Sequence, residues 1–196
     1  MSRSRAVARG ALIAVVVMLS GCAGSAPRLY VNPEADMAYY KRVAVLPFQN
    51  LTPERFAGER LTRSFITELI IADRYQLVEP ADFWIILERI GGTPGVSGAY
   101  DPKKLQEAAK EANVTGIIRG AVSEYQIQRS GGGDSPILAF DVELMDVATS
   151  NVVWRASLAK RGKGRVPIVG GGERTLGRLT EESCREMVGR LEKEAF

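Results

Sequence analysis

Histidine is absent from the 196 residues, and cysteine occurs twice. Without histidine there is no imidazole base, no His-activated nucleophile and no imidazole metal ligand. The cysteines, Cys22 and Cys184, allow one disulfide at most, and none once Cys22 is committed elsewhere. The basic excess is also smaller than the formal +3 suggests. Arg3, Arg5 and Arg9 all precede the first acid, Glu34, and without them both signs number 23. A neutral remainder offers no basic face for nucleic acid. A phosphate loop is missing too: Lys163 is followed by Gly164 and Arg165, and Pro47 to Asn50 stand where a glycine fingerprint would follow a first strand. Gly170, Gly171 and Gly172 read as a connector, and Gly131, Gly132 and Gly133 as a hairpin loop. Nothing points to a cofactor or a metal. Glu68, Asp73, Glu79 and Glu88 fall near element ends and read as capping or solvated charges; only proximity in space would make a catalytic pair of them. The chain reads as a non-enzyme.

What is present starts at the N-terminus. Arg3, Arg5 and Arg9 form a basic head, and residues 11–19 form an apolar run of the roughly 7–15 residues usual in a secretory signal. The run is shorter than the about 20 residues of a spanning helix. It closes in Leu19-Ser20-Gly21-Cys22, which resembles the lipobox of bacterial lipoproteins. That resemblance implies cleavage between Gly21 and Cys22, diacylation of the Cys22 thiol and acylation of the new amine. One acyl chain holds a protein only reversibly, at about 0.8 kcal/mol per buried methylene, whereas three anchor it stably. Ala23, rather than aspartate, follows the cysteine, which by the same resemblance points to the outer membrane with the domain facing the periplasm. A plain signal with an incidental cysteine, or an uncleaved anchor, is the alternative.

Residues 22–41 read as the lipidated N-terminus and a tether, punctuated by Pro27 and Pro33; fully stretched, the tether reaches at most roughly 65 Å. Met37, Tyr39 and Tyr40 at its end are placed either on the domain or against a neighbour. Residues 42–196 suit a single domain. The apolar run at 42–48 predicts a strand buried on both faces. Thr52, Pro53 and Glu54 predict a helix start, with Phe56, Leu61, Phe65, Leu69 and Ala72 on its stripe. A strand at 75–79, a helix at 81–90 and a helix capped by Asp101-Pro102 follow. Strands at 115–128, 137–147 and 151–160 come next, then a long amphipathic helix at 173–194. Near-alternation of Leu138, Phe140, Val142, Leu144 and Val147 with polar residues predicts an antiparallel sheet with one wetter face. The order β-α-β-α-α-β-β-β-α predicts an α/β (α+β) domain, a mixed sheet with helices packed on it. Trp84 and Trp154 read as core, with a partner contact as the alternative. Cys184, on the stripe of Leu176, Leu179, Met187, Val188 and Leu191, reads as a buried thiol, with an intermolecular disulfide as the alternative.

Four stretches resemble the CsgG/LpoB-like lipoprotein superfamily, which includes the curli secretion channel CsgG and the peptidoglycan-synthase activator LpoB, and whose fold is related to the TolB N-terminal domain. They are Val43-Ala44-Val45-Leu46-Pro47-Phe48-Gln49-Asn50, Tyr75-Gln76-Leu77-Val78-Glu79 with the helix after it, residues 112–120, and residues 141–149 with Val152-Val153-Trp154. Pro80 departs from the family's usual arginine. Ser150-Asn151 replaces its glycine turn, where Asn can take a left-handed conformation. The loops at 130–136 and 162–172 are too short for the pore-building hairpins of CsgG. The resemblance implies a fold and no reaction. It implies first an outer-membrane-anchored periplasmic lipoprotein acting as a non-catalytic scaffold in envelope assembly or secretion. The alternative is an LpoB-type activator of a penicillin-binding protein, a role for which the tether is short. The implied partners are a membrane, an envelope protein and a second copy of the chain.

Overall fold

Val43 and Val45 face one side of a strand, Ala44 and Leu46 the other, and all four are buried in two separate apolar clusters. A strand buried on both faces needs cover on each, and that dictates the architecture. The computed structural model, which describes residues 27–95, 98–130, 133–162 and 175–195, supplies it.

In chain order the elements are β1 (Arg28–Val31), a 3-10 turn (Met37–Tyr39), β2 (Arg42–Val45), β3 (Gln49–Asn50), α1 (Ala57–Ala72), β4 (Gln76–Leu77), α2 (Pro80–Arg89), α3 (Pro102–Glu111), β5 (Gly116–Ser130), β6 (Gly133–Asp146), β7 (Val152–Arg161) and α4 (Leu176–Ala195). The strands form one sheet in the order β1-β7-β6-β5-β2-β4, with β3 also pairing β5. β2 is parallel to β4 and β5, while the β5-β6-β7-β1 half is antiparallel. This is the mixed sheet expected from the order of helices and strands. Helices α1 and α4 pack on one face over Ile118, Val142, Leu144 and Trp154. Helices α2 and α3 pack on the other, over Ala44, Leu46, Ile117 and Met145. The second layer is the smaller, so part of its face stays open.

Several expectations are corrected. The segment read as tether contributes β1: Arg28 to Val31 pair antiparallel with Ser157 to Trp154. Its end packs down, with Met37 and Tyr40 buried and Tyr39 exposed. Helix α1 begins at Ala57, not at Thr52. Asn50 competes for the preceding residues: its Oδ1 accepts from Thr52 N and Oγ1 at 3.0 and 2.8 Å, and its Nδ2 donates to Glu54 O at 2.7 Å. Such side-chain bonds favour a turn over a helix start. Phe56, outside the helix, is 45% exposed. Trp84 is half-buried rather than core, its Nε1 donating to Glu88 Oε1 at 2.8 Å, whereas Trp154 is fully buried. The left-handed residue of the β6–β7 turn is Ser150 (φ 59°), not Asn151. Residues 163–174, with the glycine run, lie outside the described residues, as does Cys22.

Phe48 explains why the 43–50 stretch is more than a strand. It lies past the end of β2, its N–H donates to Thr62 Oγ1 at 2.9 Å, and its ring meets Phe65 at 5.4 Å. A Cβ on Gly58 would sit 2.5 Å from Phe48 O, and one on Gly120 would sit 3.1 Å from its ring and 2.4 Å from Asp141 O. The two glycines let α1 and β5 close around this residue.

Candidate functional site

The open part of the sheet lies where β5, β6 and β7 extend beyond α2 and α3. Side chains alternate across a strand, so those beside the buried Ile117 and Met145 on this face are Arg119, Ala121, Glu143, Asp141 and Arg155. The register places Arg119 opposite Glu143 and Glu143 opposite Arg155. Arg119 Nε donates to Glu143 Oε1 at 2.5 Å, Arg155 Nη1 lies 3.4 Å from Glu143 Oε2, and Arg155 Nη2 donates to Asp141 Oδ2 at 3.0 Å. Glu143 is 8% exposed, so the carboxylate is buried and the two guanidiniums cover it from the solvent side. Burial pushes the Asp141 carboxyl above its ordinary value; Arg155 offsets part of that, and Glu143 adds to it. Pro47, Leu51 and Tyr100 wall this row into a cleft of about 450 Å³. The arrangement is a neutral, ion-paired row in which donors and acceptors alternate and each of the four charges has a partner.

Of the acids singled out from sequence, Asp73 and Glu79 line one groove between α1 and β4, while Glu68 and Glu88 are held in separate contacts. Glu68 accepts from Arg185 Nε and Nη2 at 3.2 and 3.3 Å; Asp73 ends α1 with φ 54°; Glu79 precedes α2; Glu88 accepts from Trp84. Among the described residues, no three of cysteine, aspartate or glutamate are placed to hold a metal ion. The described helices include none long and apolar enough to cross a membrane. The row on β5–β7 escaped the sequence because each charge reads alone as a wet strand position; only the cross-strand register joins them.

A second surface is largely apolar, with the carboxylates of Asp73 and Glu79 among its lining residues. Ile66, Ile70, Tyr75, Leu77 and Pro80 line a groove of about 290 Å³ between α1 and the short edge strand β4. Ile70 and its neighbour Ile71 are 62% and 66% exposed. Exposed isoleucines beside an open sheet edge are features of a protein-binding surface.

No curated protein matches the chain in sequence. Among solved structures, the chain is similar to the PelC dodecamer from Paraburkholderia phytofirmans (TM-score 0.60, 20% identity, covering 85% of this chain and 96% of that one). It is similar to the lipoprotein GNA1162 from Neisseria meningitidis (TM-score 0.55, 17% identity, covering 76% and 98%). It is also similar to the hypothetical protein CT253 from Chlamydia trachomatis (TM-score 0.50, 15% identity, covering 79% and 96%). At these identities the likeness is one of fold. A family model described as peptidoglycan-synthase activator LpoB matches residues 13–159, well over half of the chain, and the protein therefore belongs to the LpoB family.

Proposed function

We propose that this protein is a membrane-tethered, non-catalytic activator that binds a peptidoglycan synthase of the penicillin-binding class. The observation that carries the reading is the family match over residues 13–159. It displaces the envelope scaffold as the first reading, since that family is described by activation of a synthase. In this reading Cys22 is acylated after cleavage at Gly21, Ala23 directs the protein to the outer membrane, and the domain faces the periplasm. The mechanism is contact: the apolar groove beside Ile70, open at the β4 edge, receives a segment of the synthase, adding main-chain hydrogen bonds to apolar burial.

The test is glycan-strand synthesis by purified penicillin-binding proteins from the same organism, with and without the acylated protein in mixed micelles. The expected outcome is a rise in synthase rate that saturates at stoichiometric ratio and is reduced at least about tenfold in apparent affinity by Ile70→Glu, as for a central apolar contact. No stimulation of any such synthase overturns the reading. Self-assembly is a second reading, supported by the likeness to a PelC structure that is a dodecamer. Sedimentation of the acylated protein in detergent would then give one discrete oligomer.

A further inference from the structure

β1 changes where the domain sits. Cys22 is separated from Arg28 by about six residues of chain, which span at most roughly 21 Å. Arg28 pairs with Ser157, and the strands are antiparallel, so the chain before Arg28 leaves toward the end of the sheet formed by the β5–β6 hairpin. Ser157 is opposite Asp141, and β6 continues from there to Gly133 for about eight residues, roughly 26 Å at the usual strand rise. The hairpin thus projects beyond Arg28 as far as, or farther than, the tether can stretch.

We propose that the end of the β5–β6 hairpin rests on the surface of the bilayer that holds the acyl chains, a conclusion that depends on acylation of Cys22. A tether too short to clear the hairpin leaves the hairpin nowhere else to go. The exposed side chains there fit a headgroup layer. Ile127 is 54% exposed on the face that carries buried Tyr125 and Leu138. Arg129 is 87% exposed, and Arg161, opposite Ile137 on β6, is exposed as well. Against these two cations stand Glu124 and Asp134, the latter 3.9 Å from Arg129. Among the described residues these charges balance, so the contact rests on the reach of the tether and on exposed Ile127 rather than on attraction to anionic lipid. An isoleucine among arginines is the composition that settles at an interface without spanning it. The partner is therefore a phospholipid surface, and the domain stands on its long hairpin with the β6–β7 turn at residues 147–151 pointing away.

The test uses full-length acylated protein in phosphatidylethanolamine–phosphatidylglycerol vesicles containing chain-brominated lipid. Single cysteines are introduced as Ile127→Cys, Arg129→Cys and, at the far turn, Ala148→Cys, and labelled with an environment-sensitive fluorophore. Cys184 is buried and does not compete for label. The I127C and R129C probes are expected to be quenched at least about threefold more strongly than A148C, because interfacial side chains sit roughly 5–10 Å into the headgroup region. Equal quenching at all three sites, in protein that still floats with the vesicles, overturns the hairpin contact and leaves the lipid anchor standing. Protein that does not float, and that takes up label at Cys22, shows that the acylation reading has failed and takes the proposal with it.

Discussion

Tyr40 Oη donates a 3.0 Å hydrogen bond to Asp146 Oδ2, and both residues are buried. The bond ties the segment ahead of β2 to the last residue of β6, across the sheet end opposite the β5–β6 hairpin. Asp146 also accepts from Thr149 N and Thr149 Oγ1, both at 2.7 Å, which shapes the β6–β7 turn. Burial alone would raise the Asp146 carboxyl, but the bonds from Thr149 and Tyr40 outweigh it and hold it below its ordinary value. Burial, with the Asp146 bond, pushes the Tyr40 phenol up to about 12.

The signs follow from linkage. A carboxyl depressed in the fold adds stability above its unfolded pKa and loses it as pH falls through the folded value. A phenol raised in the fold adds stability below its unfolded pKa, near 10, and loses it as pH rises toward 12. Urea midpoints of the wild type should therefore fall on both the acid and the alkaline side. Tyr40→Phe should cost about 1–2 kcal/mol at neutral pH and make the alkaline limb shallower without removing it, because burial also raises the phenols of Tyr75 and Tyr100. Asp146→Asn should flatten the acid limb.

Glu143 is the hub of the charged row, and its partners are unequal to it in burial. Its side chain is 10% exposed, against 39% for Arg119 and 51% for Arg155. Replacing Glu143 with Gln frees two guanidiniums that water already screens, and should cost only about 1 kcal/mol. Replacing both arginines with Ala strands a buried carboxylate, and should cost about 3 kcal/mol or more. Thermal unfolding of the two variants decides: if the E143Q variant is the less stable, the row is not organised around the carboxylate.

How much of this was legible turns on whether a residue's signal was local. Asp101 was, because Asp-Pro before a helix is a cap in any context, and its side chain accepts from Lys103 N at 2.9 Å. The alternation in β6 was, because a period of two needs no partner to be read. β1 was not: four residues between prolines carry too little pattern, and the strand exists because β7 offers an unpaired edge. The start of α1 misled because Thr52-Pro53-Glu54 carries genuine capping residues that Asn50 takes for a turn. The Arg119–Glu143–Arg155 row was invisible for a physical reason: it depends on the register between three strands, and a one-residue slip would send every member to the other face.

Gly58 and Gly120 should be intolerant of the smallest side chain. At Gly120 an added methyl would meet Asp141 O at 2.4 Å, and at Gly58 it would meet Phe48 O at 2.5 Å; backbone atoms cannot swing away as a side-chain tip can. Gly58→Ala tests this well, because Ala is the better helix former by about 1 kcal/mol and an open helical site would be stabilised. Here overpacking should win, with a net loss of about 1–3 kcal/mol in denaturant unfolding. A G58A protein more stable than the parent would mean that α1 does not press against Phe48. Gly189 on α4 has open space around it and supplies the opposite expectation: Gly189→Ala should stabilise.

Cys184 turns burial into a measurement. It is 0% exposed under α1, with Sγ 4.0 Å from Leu61 O, and burial pushes its thiol well above the ordinary cysteine value. A thiol that is neither exposed nor ionised cannot bridge two folded copies, so non-reducing gels of native protein should show no dimer through Cys184. The same shielding makes it a probe of opening. Reaction with a thiol reagent requires α4 to separate from α1 and the sheet, which exposes Met187, Val188 and Leu191 as well. The modification rate should therefore fall below that of unfolded chain by a factor close to the folding equilibrium constant. Leu191→Ala, a cavity in the same layer costing about 2–4 kcal/mol, should accelerate labelling by about 30-fold or more if α4 and the sheet open as one unit. A labelling rate that ignores L191A would mean that the C-terminal part of α4 frays separately from the part covering Cys184.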